Sequence, residues 1–298
     1  MQNVIRPVFH WRLRKRTITL GERTLVMGIV NVTPDSFSDG GDFLSTSSAV
    51  AHAMKLLREG ADIVDIGGES TRPGKKKAVS EQEELDRVLP VIGGILAKIP
   101  KALVSVDTYK SGVAKAAVEA GAEIVNDVSA FAWDKEMPTT VASLKCGAIL
   151  MHMRGRPEEW RSQPRDPDIV ATASRELAAS SRNAEAAGVA KDAIVLDPGF
   201  GFGKNFEENY PLLAHFERLH ALGYPLLSGT SRKSFIGRTL AVAGQDAALK
   251  ERLVGTMATV TASVLKGTHI VRVHDVKEAA ETVKIADAIL NAGRSRSS

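Results

Sequence analysis

With 298 residues, 44% of them hydrophobic and 25% charged, the chain has the make-up of a soluble globular protein and a length that one α/β barrel domain can fill. Its 39 basic and 35 acidic side chains leave a net charge of +4; with no basic helix interleaved with aromatics, this argues against a nucleic-acid partner and for a small anionic substrate. No apolar window reaches the roughly 18–20 residues that cross a bilayer, which argues against a membrane partner.

Residues 1–16 contain Arg6, Arg12, Arg14, Lys15 and Arg16 but no apolar core of a secretory signal, and they read as a solvated basic leader. Residues 17–20 and 25–30 flank Gly21 and Glu22 and are expected to pair as a hairpin that closes the bottom of a barrel, 25–30 doubling as its first strand. Later strands fall at 63–66, 103–106, 123–125, 148–151, 193–196, 225–227 and 269–273. Helices fall at 47–59, 80–99, 110–120, 134–144, 166–187, 206–222, 247–266 and 276–292. Gly60, Gly121, Gly188, Gly223 and Gly267 each follow a helical stretch, where a left-handed cap favours glycine. Cys146, the only cysteine, rules out an intrachain disulfide, fits a reducing cytoplasmic compartment and reads as a buried small hydrophobe. Eight strand-then-helix units predict a (β/α)8 TIM barrel, one domain over 17–292 with a polar tail at 293–298. Two long polar loops, 31–41 and 67–77, leave the first and second barrel strands, where binding loops are expected.

The strands end on residues that an apolar strand does not need: Asn31, Asp65, Asp107, Asn126, Met151 with His152, Asp197, Ser228 with Gly229, and Arg272 with His274. In such a barrel these ends share one mouth, where catalysis sits. Asp107 and Asp197 close apolar runs, and a carboxylate drawn into a partly desolvated mouth needs donors. Beside the Asn126 amide they suit a heterocycle whose guanidine-like edge points two N–H groups at one carboxylate. The rival reading pairs Asp197 with Lys233 or Arg272 as scaffolding. From Asp197 to Lys204 the glycines alternate, but the run matches neither a dinucleotide fingerprint nor a P-loop. It carries Phe200 and Phe202, each of which can stack on a flat ligand or pack locally. Lys233 and Ser234 open a short helix after strand seven, and Arg272 and His274 share one face of strand eight. These cations gather where this fold often binds phosphate. His152 admits a structural and a functional reading alike. The run 75–77 of three lysines reads as a solvated edge, and Trp11, Trp133 and Trp160 as separate packing residues. The small-residue stretch 256–263 allows close helix approach, within the protein or across a dimer.

Taken together, these residues resemble the dihydropteroate synthases, from Thr17 to Leu290. The motifs that carry the likeness run from Met27 to Gly41, Asp65 to Gly74, Ser105 to Thr108, Asn126 to Asp127, Asp197 to Lys204, Ser231 to Ser234 and Arg272 to Val276. That family joins 4-aminobenzoate to 6-hydroxymethyl-7,8-dihydropterin diphosphate, giving 7,8-dihydropteroate and pyrophosphate. The resemblance implies that Asp107, Asn126, Asp197 and Lys233 hold the pterin, with Met151 and Gly229 lining its slot. Asn31, Thr71, Arg272 and His274 would hold the diphosphate, Asn31 also reaching Mg2+. Phe37, Thr71, Arg72, Pro73, Phe202, Lys233 and Ser234 would form the 4-aminobenzoate pocket. Asp107, Lys233, Arg272 and His274 are then the catalytic set. A homodimer and competitive inhibition by sulfonamides are further implications. The chemistry fits from below: pyrophosphate leaves readily once its charge is neutralised, and an SN1-like step suits a carbon conjugated to a dihydropterin. A neutral aryl amine needs no strong base, which accounts for the lack of a nucleophile–base pair. The two long loops are expected to order around the diphosphate. The bulky segment from Ser129 to Trp133 departs from the pattern.

Two other readings share the barrel. A pterin-binding methyltransferase domain would need neither Thr71, Arg72 and Pro73, nor the run from Ser231 to Ser234, nor the diphosphate cations. A non-catalytic pterin-binding paralogue would be expected to have lost Asn31, Phe37 or Arg72, all of which are present.

Overall fold

Runs of Val, Ile and Leu bounded by glycine or polar residues form the strands, and amphipathic stretches form the helices between them. The computed structural model describes residues 6–32, 41–69 and 79–294. Two short strands come first, β1 (Phe9–Arg12) and β2 (Thr17–Leu20). The barrel strands are β3 (Leu25–Asn31), β4 (Ile63–Gly67), β5 (Val104–Asp107), β6 (Ile124–Asp127), β7 (Gly147–Met151), β8 (Ile194–Asp197), β9 (Leu227–Ser228) and β10 (Ile270–Val273). The helices are α1 (Gly41–Glu59), α2 (Glu81–Lys98), α3 (Ser111–Glu119), α4 (Met137–Leu144), α5 (Ile169–Ala186), α6 (Phe206–Ala214), α7 (Ser234–Thr239), α8 (Leu253–Leu265) and α9 (Val276–Arg294).

The eight barrel strands run parallel in the order β8-β7-β6-β5-β4-β3-β10-β9. β8 and β9 meet through a single bridge between Leu196 and Leu226, with the Leu196 N–H donating to Pro225 O at 2.9 Å. The result is the expected (β/α)8 TIM barrel. Alternate strand residues divide between two apolar layers. Val26, Val64, Val106 and Leu196 face the helices, while Met27, Ile63, Ile124, Ile149, Val195 and Ile270 fill the lower barrel interior. Further up, the interior positions turn polar.

The expected N-terminal hairpin is present, but its turn does not lie at Gly21. β3 already has β4 and β10 as parallel neighbours, so neither of its edges can take β2. Instead β2 pairs with β1, Arg12 opposite Thr17. Gly21, at φ +110°, bends the chain from hairpin to barrel; a Cβ there would stand 2.4 Å from Pro7 O. Residues 9–16 are therefore no solvated leader. Trp11 is fully buried beneath the barrel, its indole N–H on Ala193 O at 2.8 Å. Leu13 and Leu20 pack with it. The arginines fasten this plug: Arg6 to Asp287 at 2.8 Å, Arg12 to Asp192 at 3.0 Å, and Arg16 to Glu123 at 2.5 Å.

Five helix predictions need adjustment: α1 starts at Gly41 rather than 47 and α5 at Ile169 rather than 166. The stretch 206–222 breaks at His215 into α6 and a 3-10 segment, 216–222; residues 249–252 are also 3-10, ahead of α8; and α4 starts only at Met137. The five glycines expected at helix ends all have positive φ. Cys146 is buried, which pushes its thiol up to about 12. Among the described residues no helix is long and apolar enough to cross a membrane.

Candidate active site

Because the strands are parallel and in register, their last residues stand side by side. Asp107 is level with Gly67 and with Asn126, and Met151 is level with Asp197. Asp107 among them lines an open cavity of about 390 Å³ at the C-terminal mouth, whose wall also includes Asn31, Phe202, Lys233, Ser234, Arg272 and His274.

Arg272 sits at the centre. Its Nε donates to Asp65 Oδ2 at 2.7 Å and its Nη2 to Asp107 Oδ2 at 2.6 Å. Burial opposes the guanidinium charge, but the two carboxylates outweigh it and raise its pKa. Burial pushes the Asp107 carboxyl up to about 7, with Arg272 pulling it back and Asp65 adding to the rise. The Asn126 Nδ2 donates to the same Asp65 oxygen at 2.9 Å.

Asp197 is buried, which raises its pKa, and it accepts the Gly199 N–H at 2.7 Å. The Lys233 and Arg272 charges lower it again, but neither forms an ion pair with it; Arg272 is paired with Asp65 and Asp107 instead. Gly229 keeps the space beside it open: a Cβ there would lie 3.7 Å from Asp197 Oδ2 and 4.0 Å from Arg272 Cβ. Lys233 precedes α7, and its Nζ lies 3.6 Å from the centre of the Phe202 ring. Ser234, the first residue of α7, is exposed. His274 shares a hydrogen bond between its Nδ1 and Ser231 Oγ at 3.0 Å, and its N–H donates to the same oxygen. Asn31 is half-buried at the end of β3.

The structure separates Phe200 from Phe202. Phe200 is fully buried and packs near Phe216 and Phe235, whereas Phe202 is half-exposed at the cavity, edge-on to Trp160. Trp160 thus borders the site, unlike Trp11. His152 is a structural residue: it is buried, held by Glu176 at 3.0 Å, and burial pushes it down to about 4. Phe131 tucks into the core and Trp133 packs edge-on against Tyr109. The expected site residues Phe37, Thr71, Arg72 and Pro73, and the lysines at 75–77, lie outside the described residues.

Three supports had no role in the sequence reading. Lys204 is buried with its ammonium on the carbonyls of Gly199 at 2.7 Å and of His152 and Phe202 at 3.3 Å; burial pulls it down to about 7. It thereby ties down the loop that carries Phe202. On α8, Thr256, Thr259 and Ser263 hold alternate residues of the strand-seven loop. Arg232 N–H donates to Thr256 Oγ1 at 3.1 Å, Thr259 pairs with Thr230 at 2.9 Å, and Ser263 with Ser228 at 2.8 Å. The small-residue stretch therefore serves close approach inside the protein. Asp65, the third, was visible only as a polar strand end.

Among the described residues no three His, Cys, Asp or Glu side chains come together as a metal-ligand group. Asn31 still offers a hard amide oxygen at the cavity wall. One such ligand suits Mg2+, which keeps several waters and is commonly shared with substrate phosphate.

A parallel barrel whose mouth gathers acids, an amide and cations around one cavity belongs to the small-molecule enzymes. A family model described as pterin binding enzyme matches residues 27–274. The dihydropteroate synthase of Bacillus subtilis is 47% identical over 272 residues, spanning 91% of this chain and 90% of that protein. A solved structure of the Xanthomonas albilineans dihydropteroate synthase with 4-aminobenzoic acid superposes with a TM-score of 0.85 at 43% identity, covering 94% of this chain and 98% of that one. The Yersinia pestis enzyme, solved with a sulfonamide drug, gives 0.86 at 43% identity, covering 95% and 100%. The chain belongs to the pterin-binding enzymes and, within them, to the dihydropteroate synthase family. The members of that family are transferases, and this chain is one of them.

Proposed function

We propose that the chain condenses 6-hydroxymethyl-7,8-dihydropterin diphosphate with 4-aminobenzoate, giving 7,8-dihydropteroate and pyrophosphate with the help of Mg2+. The observation that carries this reading is the cavity together with the strand ends beside it. Asp107, on its wall, stands in register with Asn126; Asp197 faces Gly229; and Arg272, Lys233 and His274 adjoin them. The acids and the amide suit the N–H-rich edge of a pterin, and the cations suit a diphosphate.

In this reading Asp107, Asn126 and Asp197 orient the pterin, Met151 and Gly229 border its slot, and Arg272, His274 and Asn31 meet the diphosphate. Asn31 would hold Mg2+, which would supply charge neutralisation for the leaving group. Arg272 and His274 stabilise the same developing charge as the C–O bond breaks in an SN1-like step. The carbon keeps its conjugation with the pterin ring, and the Asp107 carboxylate offsets its positive charge. The neutral amine of 4-aminobenzoate then forms the C–N bond and gives its proton to the departed pyrophosphate or to water, with Phe202 and Lys233 at the face it approaches. Thr71, Arg72, Pro73, Phe37 and Ser234 complete that pocket, where sulfonamides compete.

A pyrophosphate-release assay checks this. Release is expected only with both substrates and Mg2+ present. Release that ignores 4-aminobenzoate, or none with all three, sinks the synthase reading; full release with the metal chelated removes Mg2+ alone. We also propose a cytoplasmic homodimer. Val242 and Val254 are 77% and 79% exposed, and Leu240 and Leu249 are also uncovered, so the segment from α7 to α8 offers apolar surface to a second copy. A monomer by light scattering would remove that element.

A further inference from the structure

The diphosphate cation and the pterin amide are joined through one group that neither role requires. Asp65 lies on the interior face of β4 with its side chain 0% exposed. One oxygen, Oδ2, accepts from both Arg272 Nε at 2.7 Å and Asn126 Nδ2 at 2.9 Å. The other, Oδ1, is buried and takes no hydrogen bond from any described residue. A carboxylate only accepts, so it dictates which end of a neighbouring amide turns toward it. The NH2 end of Asn126 must face Asp65, and the amide oxygen is left for a ligand donor. A free Asn126 could rotate and offer either end.

The same contact sorts the two partners of Arg272. Asp107 is on the cavity wall, its side chain 24% exposed, whereas Asp65 is sealed beneath it. A substrate can therefore take over Asp107 and the Nη2 edge of Arg272 without reaching the Nε contact below.

We propose that Asp65 is a positioning residue for this reaction: it fixes the orientation of the Asn126 amide and stays as the permanent anchor of Arg272 when substrate replaces the Asp107 contact. It touches no reacting atom. Its unpaired Oδ1 gives the anchor a second acceptor, available to whichever donor turns inward when Asp107 is released. This inference rests on the synthase reading above.

The test is a double-mutant cycle on the full chain, with Asp65→Asn, Asn126→Ala and the double variant. Affinity is measured for 6-hydroxymethyl-7,8-dihydropterin diphosphate and separately for inorganic pyrophosphate, together with the KM for 4-aminobenzoate. Each single change is expected to weaken binding of the pterin substrate by roughly 10- to 100-fold. The double variant should lose less than the product of the two, because the part of the Asp65 effect that runs through Asn126 is already gone. The KM for 4-aminobenzoate should stay put, which a general loosening of the fold would not allow. Independent, multiplicative losses overturn the proposal, as does unchanged affinity in folded Asp65→Asn. If Asp65→Asn does not fold, Asp65→Glu serves; it keeps the charge for Arg272 but displaces the oxygens, so pyrophosphate affinity should be retained while pterin affinity falls. A loss of both in equal measure overturns the proposal in that variant. Turnover of the unaltered protein separates the two ideas: if it releases no pyrophosphate from the two substrates, the function reading fails, whereas normal turnover with an indifferent Asp65 fails this inference alone.

Discussion

Replacing Arg272 with alanine is expected to cost about 3–5 kcal/mol of stability at pH 8, because it strips the buried Asp65 and the half-buried Asp107 of their shared cation. Asp65 and Asp107 would face one another across the space left by the guanidinium that now binds both at 2.7 and 2.6 Å. The deficit should depend on pH, with a definite sign. In the folded chain Asp107 is raised to about 7 from 3.8, so folding favours its protonated form. The stability linked to such a group is fully present below pH 4 and lost as pH rises through its folded pKa. Arg272 holds that pKa down, so its loss lifts it further. The variant should therefore fall further behind the parent above pH 7, by up to about 1.4 kcal/mol per pH unit, on top of the deficit from the lost Asp65 pair. Denaturant titrations at pH 4, 6 and 8 check this, and a pH-independent deficit would reduce Arg272 to a packing residue. In kinetics the same change should lower kcat/KM for the pterin diphosphate by about 100- to 1000-fold, the loss typical of removing one preorganised charge partner.

Lys233→Ala is expected to impair both substrates. Its ammonium stands over Phe202 at 3.6 Å and lowers the pKa of buried Asp197. Losing the positive charge near Asp197 should reduce kcat/KM for the pterin substrate by about 10- to 100-fold. Losing the cation–π contact should leave Phe202 free to move and raise the KM for 4-aminobenzoate by about 3- to 10-fold. Lys233→Met keeps the stem against the ring without the charge, so it should recover part of the second effect and none of the first. Steady-state kinetics with each substrate varied in turn gives both numbers. A change confined to one substrate would show that Lys233 does not serve a shared boundary.

Most of the barrel was legible because buried parallel strands are short apolar runs and their polar terminal residues break the pattern visibly. Asp107, Asn126, Asp197, Arg272 and the glycine caps were readable in that way. The N-terminal hairpin was expected too, but its first strand was not. Phe9–Arg12 is a four-residue strand with two basic side chains, and its apolar residues, Phe9 and Trp11, become informative only once the underside of the barrel exists to receive them. Asp65 showed its polarity but not its task, since the guanidinium it anchors is 207 positions away. Lys204 was hidden for a different reason: its partners are three main-chain carbonyls, and no side-chain motif records them. The breaks at His215 and Arg252 escaped because helical periodicity persists through a 3-10 turn.

The joint between β8 and β9 gives the barrel an uneven circumference. Every other pair of neighbouring strands shares a ladder, but here a two-residue strand and one bridge hold the ring shut. Asp197 stands on one side of that seam, and Gly229 and Lys233 follow on the other. A ligand gripped from both sides supplies the rungs that the main chain omits. Ring closure and ligand occupancy then draw on the same free energy, so whatever strengthens the seam also tightens the grip on the ligand.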